Sequence, residues 1–160
     1  MPTRPPRVPF VPGRAGRAGR PASPNSSTAP PVTHTARLPV RWSDLDALGH
    51  LNNAAYLTLC EQARIEMLAD LGAGDWDDAG PVLAGVSLEF RRPVLYPATA
   101  VVRTTLGEPG RSSLPFSFSV SVEGDDAVYA EGEGTLVWVS RETGRSAPLP
   151  APLREAATAA

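Results

Sequence analysis

The chain has 160 residues, one cysteine and a formal net charge of −2 at pH 7. This length fits one domain, no stretch approaches the roughly 20 apolar residues of a membrane-spanning helix, and a single cysteine excludes an intramolecular disulfide. The N-terminus carries Pro and Arg where a secretory signal has its apolar block, so we expect a cytoplasmic protein with no membrane partner. Two histidines and one cysteine do not supply a Cys-rich zinc site, and we predict neither a metal nor a cofactor.

Charge and proline are unevenly distributed along the chain. Residues 1–36 contain five arginines, no acidic residue and nine of the 18 prolines. Such a composition buries too little apolar surface to offset the entropy of ordering. We therefore predict a disordered Pro/Arg-rich tail over 1–35, a folded domain over 36–150 and a short C-terminal tail over 151–160. The acidic body argues against nucleic acid as the main partner, although the GRAGRAGR run in the tail leaves RNA or an acidic partner open.

The first predicted strand spans 35–42, because apolar and polar residues alternate there with period two. Pro39 favours an edge position for this strand. A loop rich in Asp, Gly and Asn follows, and we expect Asn52 or Asn53 to cap a helix. Apolar residues then recur at steps of three and four for about 19 residues, and this is the only helix that we predict. The buried side of the first strand is expected to hold Ala36, Leu38, Val40 and Trp42.

After the helix the period returns to two and remains there through four more strands, at 82–90, 98–106, 114–122 and 128–139. A single helix with apolar residues over much of its surface must be covered by other elements. We therefore predict an α+β fold in which a five-stranded antiparallel sheet wraps around one long central helix. The edges of such a sheet stay open, so we expect self-association as a homodimer or tetramer.

The most distinctive segment is the run RWSDLDALGHLNNAAYL at 41–57, which is followed by Glu61 and Arg64. It resembles the corresponding run of hotdog-fold acyl-CoA thioesterases of the 4-hydroxybenzoyl-CoA thioesterase type. The resemblance covers roughly residues 36–150 and implies a hotdog fold and hydrolysis of an acyl-CoA substrate to free acid and CoA. Three later segments agree with it: EFRRPVLYPA (89–98), GRSS (110–113) and VWVSRETGRSAPLP (137–150).

The loop and the helix entrance carry the groups that thioester cleavage needs. Asp46 lies seven residues before Asn53, and Gly49 lets the loop fold back, so the Asp46 carboxylate is a candidate nucleophile or general base. The first helical turn exposes backbone N–H groups, and the helix dipole adds partial positive charge there. The resemblance implies that Asp46 is the catalytic carboxylate and that the Asn53 N–H points at the thioester carbonyl. A covalent acyl anhydride and an activated water both stay open.

Three other side chains near the helix compete for roles. Glu61 is the rival catalyst, since a separate branch of hotdog thioesterases uses a helix carboxylate, but its spacing of three from Arg64 favours a surface ion pair. Asp44 is interpreted as a residue that structures the loop. Cys60 lies on the apolar face of the helix and is interpreted as a packed core thiol. The sequence lacks a G-x-S-x-G elbow, which disfavours serine-hydrolase chemistry.

Substrate contacts are predicted partly from residue type and partly from the resemblance. His50 is either bonded to backbone within the loop or in contact with the substrate near the sulfur, and Tyr56 is a candidate wall of the acyl pocket. Arg111, with Ser112 and Ser113, is the first choice for binding the CoA phosphates, since Arg forks suit phosphate. Basic residues in this hairpin contact nucleotide phosphates in some hotdog relatives. Further candidates for the phosphates are Arg91 and Arg92.

Three other functions stay open at this point. A hotdog module without catalysis would bind acyl-CoA and retain it. A thioesterase acting on acyl carrier protein would cleave the same thioester, although the acidity of that carrier disfavours an acidic body. A protein that works through its Arg-rich tail would instead bind nucleic acid or an acidic partner, and deletion of residues 1–35 would abolish its activity.

Overall fold

The computed structural model describes residues 32–159, which form one sheet and two α-helices. Most of the predicted tail over 1–35, namely residues 1–31, lies outside these residues. In chain order the elements are β1 (Thr33–Pro39), a 3₁₀ turn (Trp42–Asp44), α1 (Asn53–Asp70), β2 (Ala79–Phe90), β3 (Thr99–Leu106), β4 (Ser113–Val122), β5 (Asp125–Ser140) and α2 (Ala151–Thr158).

The five strands form one antiparallel sheet in the order β1-β3-β4-β5-β2. This confirms the predicted α+β class with five antiparallel strands and is consistent with the hotdog fold. Strand β1 is an edge strand, as Pro39 indicated. The other edge strand is β2, which has 12 residues and pairs with β5. Within residues 32–159, no helix is long and apolar enough to cross a membrane.

Helix α1 has 18 residues and begins where the sequence predicts. Asn52 is its N-cap, and the Asn52 side chain accepts a hydrogen bond of 2.9 Å from the Ala54 N–H. The helix ends before Gly72, whose φ of 70° is in the left-handed region that favours glycine. The backbone of α1 lies over β1 and β3, so the edge strand β2 receives little cover from it.

The alternation predicted for β4 is confirmed from Phe116 to Val120. Beyond Val120 it is wrong: Ser121 is buried and Val122 half-buried, because the register with β5 shifts between Val120 and Val122. Phe116 and Phe118 are buried, and the intervening Ser117 is exposed. Each of these two phenylalanine rings lies over a glycine of the neighbouring strand β5. A Cβ atom on Gly132 would meet the Ser87 carbonyl oxygen and lie 2.7 Å from the Phe118 ring, so this strand packs tightly only because a side chain is missing.

Two sequence predictions about the ends of elements are wrong. Trp42 does not extend the first strand; it begins the 3₁₀ turn and is 75% exposed. The strand ends because the Asp44 carboxylate accepts the Arg41 N–H at 2.9 Å and pulls the chain into a turn. Strand β1 begins at Thr33, so residues 33–35 of the predicted tail belong to a strand.

A further wrong prediction concerns the C-terminal segment, which is helical rather than a tail. Helix α2 begins after Pro150 and buries Leu153 and Ala157, which lie four residues apart on one face. Pro152 sits beside Gly72 at the end of α1, so α2 packs at that end of the molecule. The domain therefore extends beyond residue 150.

Candidate active site

The loop between β1 and α1 folds into a tight turn around Asp46. The Asp46 N–H donates to the His50 carbonyl at 2.7 Å, and the Gly49 N–H donates to the Asp46 carbonyl at 3.0 Å. Gly49 has a φ of 77°, which a residue with a side chain rarely adopts. The Asp46 Oδ1 accepts the N–H groups of Leu48 at 2.8 Å and His50 at 3.0 Å. Oδ2 has no partner among the described residues, so one carboxylate oxygen is fixed and the other is available to a substrate or a water.

The N-terminus of α1 leaves one backbone donor unused. The Ala54 N–H bonds to the Asn52 side chain, and the Ala55 N–H donates to the Asn52 carbonyl at 2.9 Å. The Asn53 N–H has no acceptor in the part of the chain that the structure describes. Of the backbone N–H groups predicted to bind the thioester oxygen, the one at Asn53 therefore lacks an acceptor within residues 32–159. The helix dipole also places partial positive charge at this position.

Asp44 holds the loop against the helix, in agreement with the prediction that it structures the loop. Its buried carboxylate forms an ion pair of 2.9 Å with Arg41, and its carbonyl accepts the Asn52 N–H at 2.8 Å. The hydrogen bond from the Arg41 side chain lowers the pKa of Asp44 below its ordinary value. Asp44 is thus occupied by structural contacts, and Asp46 is the loop carboxylate with a free oxygen.

His50 and Tyr56 lie close to this loop in different surroundings. His50 pairs with Leu95 in a short bridge, which fixes the loop to the connection between β2 and β3, and its ring has no hydrogen-bond partner within residues 32–159. Tyr56 is 2% exposed, and its ring packs edge-on against Phe90 at a centroid distance of 5.1 Å. Burial raises the pKa of Tyr56, which belongs to the core beside the loop.

The predicted phosphate-binding residues lie at the other end of the sheet. Arg111 and Ser112 belong to the connection from β3 to β4, and β3 runs away from the Asp46 loop, so this connection is near the end of α1. The Arg111 carbonyl accepts the Arg154 side chain at 2.8 Å, which ties the connection to α2. Ser113 is the first residue of β4. An 18-residue helix is about 27 Å long, so one chain does not bring this connection to Asp46.

The ion pair predicted between Glu61 and Arg64 is wrong. Arg64 is 6% exposed, and its guanidinium carbon lies 5.3 Å from the centre of the Phe116 ring. Glu61 is exposed, and neither side chain forms an ion pair with a described residue. Cys60 is a core thiol as expected, since it is buried and burial raises its pKa to about 12.

The other two arginines considered for phosphate differ in their contacts. Arg91 forms ion pairs with Glu89 at 2.9 Å and with Glu131. Arg92 is exposed and forms no ion pair within the described range. Its carbonyl faces the Tyr56 hydroxyl at 3.5 Å, which places Arg92 on the side of the Asp46 loop.

An apolar surface between α1 and β2 was not predicted from the sequence. Tyr56 meets Phe90, and Ile65 shares a cavity with Leu83, so long side chains of α1 and β2 meet although the backbone of α1 lies over β1 and β3. We call the exposed side chains along them the apolar trough: Leu57 and Ile65 of α1, and Leu83, Val86 and Phe90 of β2, each 38–40% exposed. The sequence pattern that marks this surface is the spacing of Leu57, Glu61 and Ile65. Residues four apart lie on one side of a helix, and this side is outside the core face of α1.

No group of three or more His, Cys, Asp or Glu side chains within residues 32–159 is arranged to hold a metal ion. The arrangement around Asp46 offers a carboxylate and a backbone donor instead. These are the two groups required to attack an acyl carbon and to stabilise the resulting oxyanion.

Comparisons with known proteins agree with this chemistry. The family model described as the thioesterase-like superfamily matches residues 40–157. The long-chain acyl-CoA thioesterase FadM of Escherichia coli (strain K12) is 27% identical over 122 residues, which are 74% of this chain and 92% of FadM. The PA2801 protein of Pseudomonas aeruginosa is 38% identical with a TM-score of 0.74, covering 77% of this chain and 96% of that one. A thioesterase of Thermus thermophilus, solved with coenzyme A and Zn, is 37% identical with a TM-score of 0.66, covering 79% and 92%.

Proposed function

Since the chain belongs to the thioesterase-like superfamily and is a thioester hydrolase, we propose that it cleaves an acyl-CoA to the free acid and CoA. Asp46 is the catalytic carboxylate, and the Asn53 N–H is the oxyanion donor. One observation carries this assignment: the Asp46 carboxylate is held through one oxygen beside the helix end whose first N–H has no acceptor in the described structure. The names of FadM and of the Thermus thioesterase solved with coenzyme A support CoA as the carrier.

Two routes use these groups. As a general base, Asp46 takes a proton from water while the oxygen adds to the carbonyl carbon, and the Asn53 N–H holds the oxyanion until the C–S bond breaks and the CoA thiolate leaves with a proton. As a nucleophile, the free oxygen of Asp46 forms an acyl anhydride with loss of the thiolate, and water then hydrolyses the anhydride. In one turnover in ¹⁸O-labelled water, an unlabelled acid with ¹⁸O in Asp46 identifies the anhydride route with attack of water on the Asp46 carboxyl carbon, because the general-base route always places ¹⁸O in the acid.

The residues predicted first for the CoA phosphates lie far from the Asp46 end of the same chain, where Arg92 is exposed and forms no ion pair within residues 32–159. We propose that Arg111, Ser112 and Ser113 bind the phosphates of CoA from a second copy, since they lie at the far end of the sheet. Pairing of two identical edge strands about a two-fold axis is antiparallel and places opposite sheet ends side by side. His50 is proposed to contact the substrate near the sulfur, and Tyr56 to back the acyl pocket.

The same two-fold pairing predicts a homodimer formed through β2. This edge strand has exposed apolar side chains, including Val82 at 50%, and one side of its backbone is unpaired in the described chain. In the dimer the partner covers the open side of α1, which completes a sheet wrapped around a central helix. Val82→Lys places a charge on this edge and is expected to shift the protein from twice the chain mass to one chain mass in light scattering. Thr35→Lys on the other edge, β1, is the matched control and keeps the dimer; a monomeric wild type contradicts the pairing.

Arg111→Ala is expected to raise KM for acyl-CoA about five- to tenfold with kcat nearly unchanged, because a phosphate contact is lost and the reacting atoms are not touched. The truncated acyl-pantetheine substrate lacks the nucleotide and should show no such change. Arg145→Ala, another exposed arginine near the C-terminal turn, is the control. An equal rise of KM for both substrates contradicts phosphate binding by Arg111.

Thiol release from acyl-CoA esters of graded chain length, with benzoyl and phenylacetyl esters and matching acyl-carrier-protein thioesters, tests the proposed function. We expect release from CoA esters at low concentrations of enzyme. Binding of CoA esters without release would instead identify a non-catalytic binding module. Release from the carrier-protein thioesters alone would replace CoA with acyl carrier protein as the natural carrier.

A further inference from the structure

Arg64 is a buried cation with an incomplete set of contacts. It is 6% exposed, and its side chain makes no hydrogen bond or ion pair with any residue in 32–159. Its close favourable contact there is with the face of the Phe116 ring, 5.3 Å from the guanidinium carbon. Burial lowers the pKa of Arg64, which reflects the loss of water around the charge. A buried guanidinium without a carboxylate is unfavourable, and such charges in proteins are normally paired.

Arg64 lines a cavity of about 100 Å³ between α1 and the sheet. Since one water occupies about 30 Å³ of liquid, the cavity has room for about three heavy atoms, which is the size of a carboxylate group. Glu61 also lines the cavity; its side chain is exposed and forms no ion pair with Arg64, and its charge raises the pKa of Arg64 less than burial lowers it. The remaining walls are apolar: Ile65, Leu68, Trp76, Pro81, Leu83 and Leu136.

The apolar trough leads from the helix entrance to this cavity. Leu57 lies one turn after Asn53, and Ile65 and Leu83 belong both to the trough and to the cavity wall. Arg64 is eleven residues after Asn53, which is about 16 Å along the helix axis. Long side chains on a helix lean toward its N-terminus, so the guanidinium is nearer by up to about 5 Å. An extended chain advances roughly 1.2 Å per bond, so this separation corresponds to on the order of ten bonds.

We propose that the Arg64 cavity binds a carboxylate at the far end of the acyl group, so that the substrate class is medium-chain acyl thioesters with a second, terminal carboxylate. This proposal rests on the proposed function, because the thioester carbonyl is taken to lie at Asn53. The guanidinium binds a carboxylate through two parallel N–H donors, and the trough holds the methylene chain. A methyl-terminated chain of the same length leaves the Arg64 charge unpaired.

The test compares decanedioyl-CoA with decanoyl-CoA in wild type and Arg64→Met, which keeps the length of the side chain and removes the charge. We expect the ratio of kcat/KM for the two esters to fall at least about tenfold in Arg64→Met, the effect of losing a hydrogen-bonded charge. Arg64→Lys keeps the charge but loses the two parallel N–H donors. Its ratio of kcat/KM should therefore lie between those of wild type and Arg64→Met. Arg37→Met, on the exposed face of β1, is the matched control and leaves the ratio unchanged. An unchanged ratio in Arg64→Met overturns the proposal.

Chain length and direct binding make the result specific. Hexanedioyl-CoA is too short to reach Arg64, so its ratio to hexanoyl-CoA should not respond to Arg64→Met; an equal response contradicts the geometry. Calorimetry with free decanedioic acid and decanoic acid reports binding without turnover. Loss of decanedioic acid binding in Arg64→Met supports the site even if no CoA ester is hydrolysed, in which case only the proposed function fails. Hydrolysis of CoA esters with no binding preference for decanedioic acid overturns the site alone.

Discussion

Asp46→Asn is expected to reduce kcat for acyl-CoA hydrolysis on the order of 10² or more, with folding intact. The amide keeps the volume of the side chain, and its oxygen can still accept the Leu48 and His50 N–H groups that hold the loop. What is lost is the negative charge and the basic oxygen that attacks the acyl carbon or activates water. Steady-state kinetics with one acyl-CoA, together with thermal unfolding of the same preparation, measure the two properties separately.

Asp44→Asn is the matched control for this prediction, because the change is identical and the residue is two positions away. Asp44 binds Arg41 and supports the helix entrance, so its variant should lose about 1–3 kcal/mol of stability. The lowered pKa of Asp44 means that its stabilising contribution is present above the unfolded pKa and is lost as the pH falls through the folded value. Near-normal turnover in Asp46→Asn contradicts the assignment and points to Glu61.

Gly132→Ala is expected to destabilise the fold by about 3 kcal/mol, at the upper end of what overpacking costs. The added Cβ meets the Ser87 carbonyl oxygen on β2 and the Phe118 ring, so a backbone and a core side chain must both move. Denaturant unfolding measures the loss. Gly85→Ala on β2 is the control, since its Cβ has nothing within 4 Å and its φ is not in the left-handed region, and the variant should be neutral or slightly stabilised. Equal stability of both variants contradicts the packing at Gly132.

The features that the sequence predicts well are those fixed by local chemistry. The alternation around Phe116, the Asn52 cap and the stop at Gly72 each depend on one residue type in one backbone setting. The spacing of Asp46 and Asn53 is local in the same way and puts both groups in one candidate site, whose catalytic role stays a prediction. Such patterns do not depend on which distant residue lies opposite.

The features that the sequence misses depend on distant contacts. Helix α2 has eight residues and is short of the length at which periodicity identifies a helix, and it forms because Leu153 and Ala157 pack into the core. Arg64 has the spacing of a surface ion pair with Glu61, yet the position of β4 places Phe116 beneath it. Trp42 fits the alternation of the first strand, but it lies outside that strand because the Arg41–Asp44 ion pair turns the chain before it.

In the proposed dimer, a second chain completes the candidate site. Arg111 and Asp46 were both selected by residue type, and the antiparallel sheet places them at opposite ends. The apolar trough is exposed in one chain because, in the proposed dimer, the residues that cover it belong to the other molecule. Sequence periodicity reports which side of an element is apolar, and it does not report which molecule covers that side.

The most direct test of the account is release of free CoA thiol from decanoyl-CoA by wild type and Asp46→Asn side by side, with binding of the same ester measured for both proteins. We expect measurable release by wild type, release lower on the order of 10² or more by Asp46→Asn, and binding retained by both. Equal release by the two proteins, or binding by wild type without any release, would contradict it.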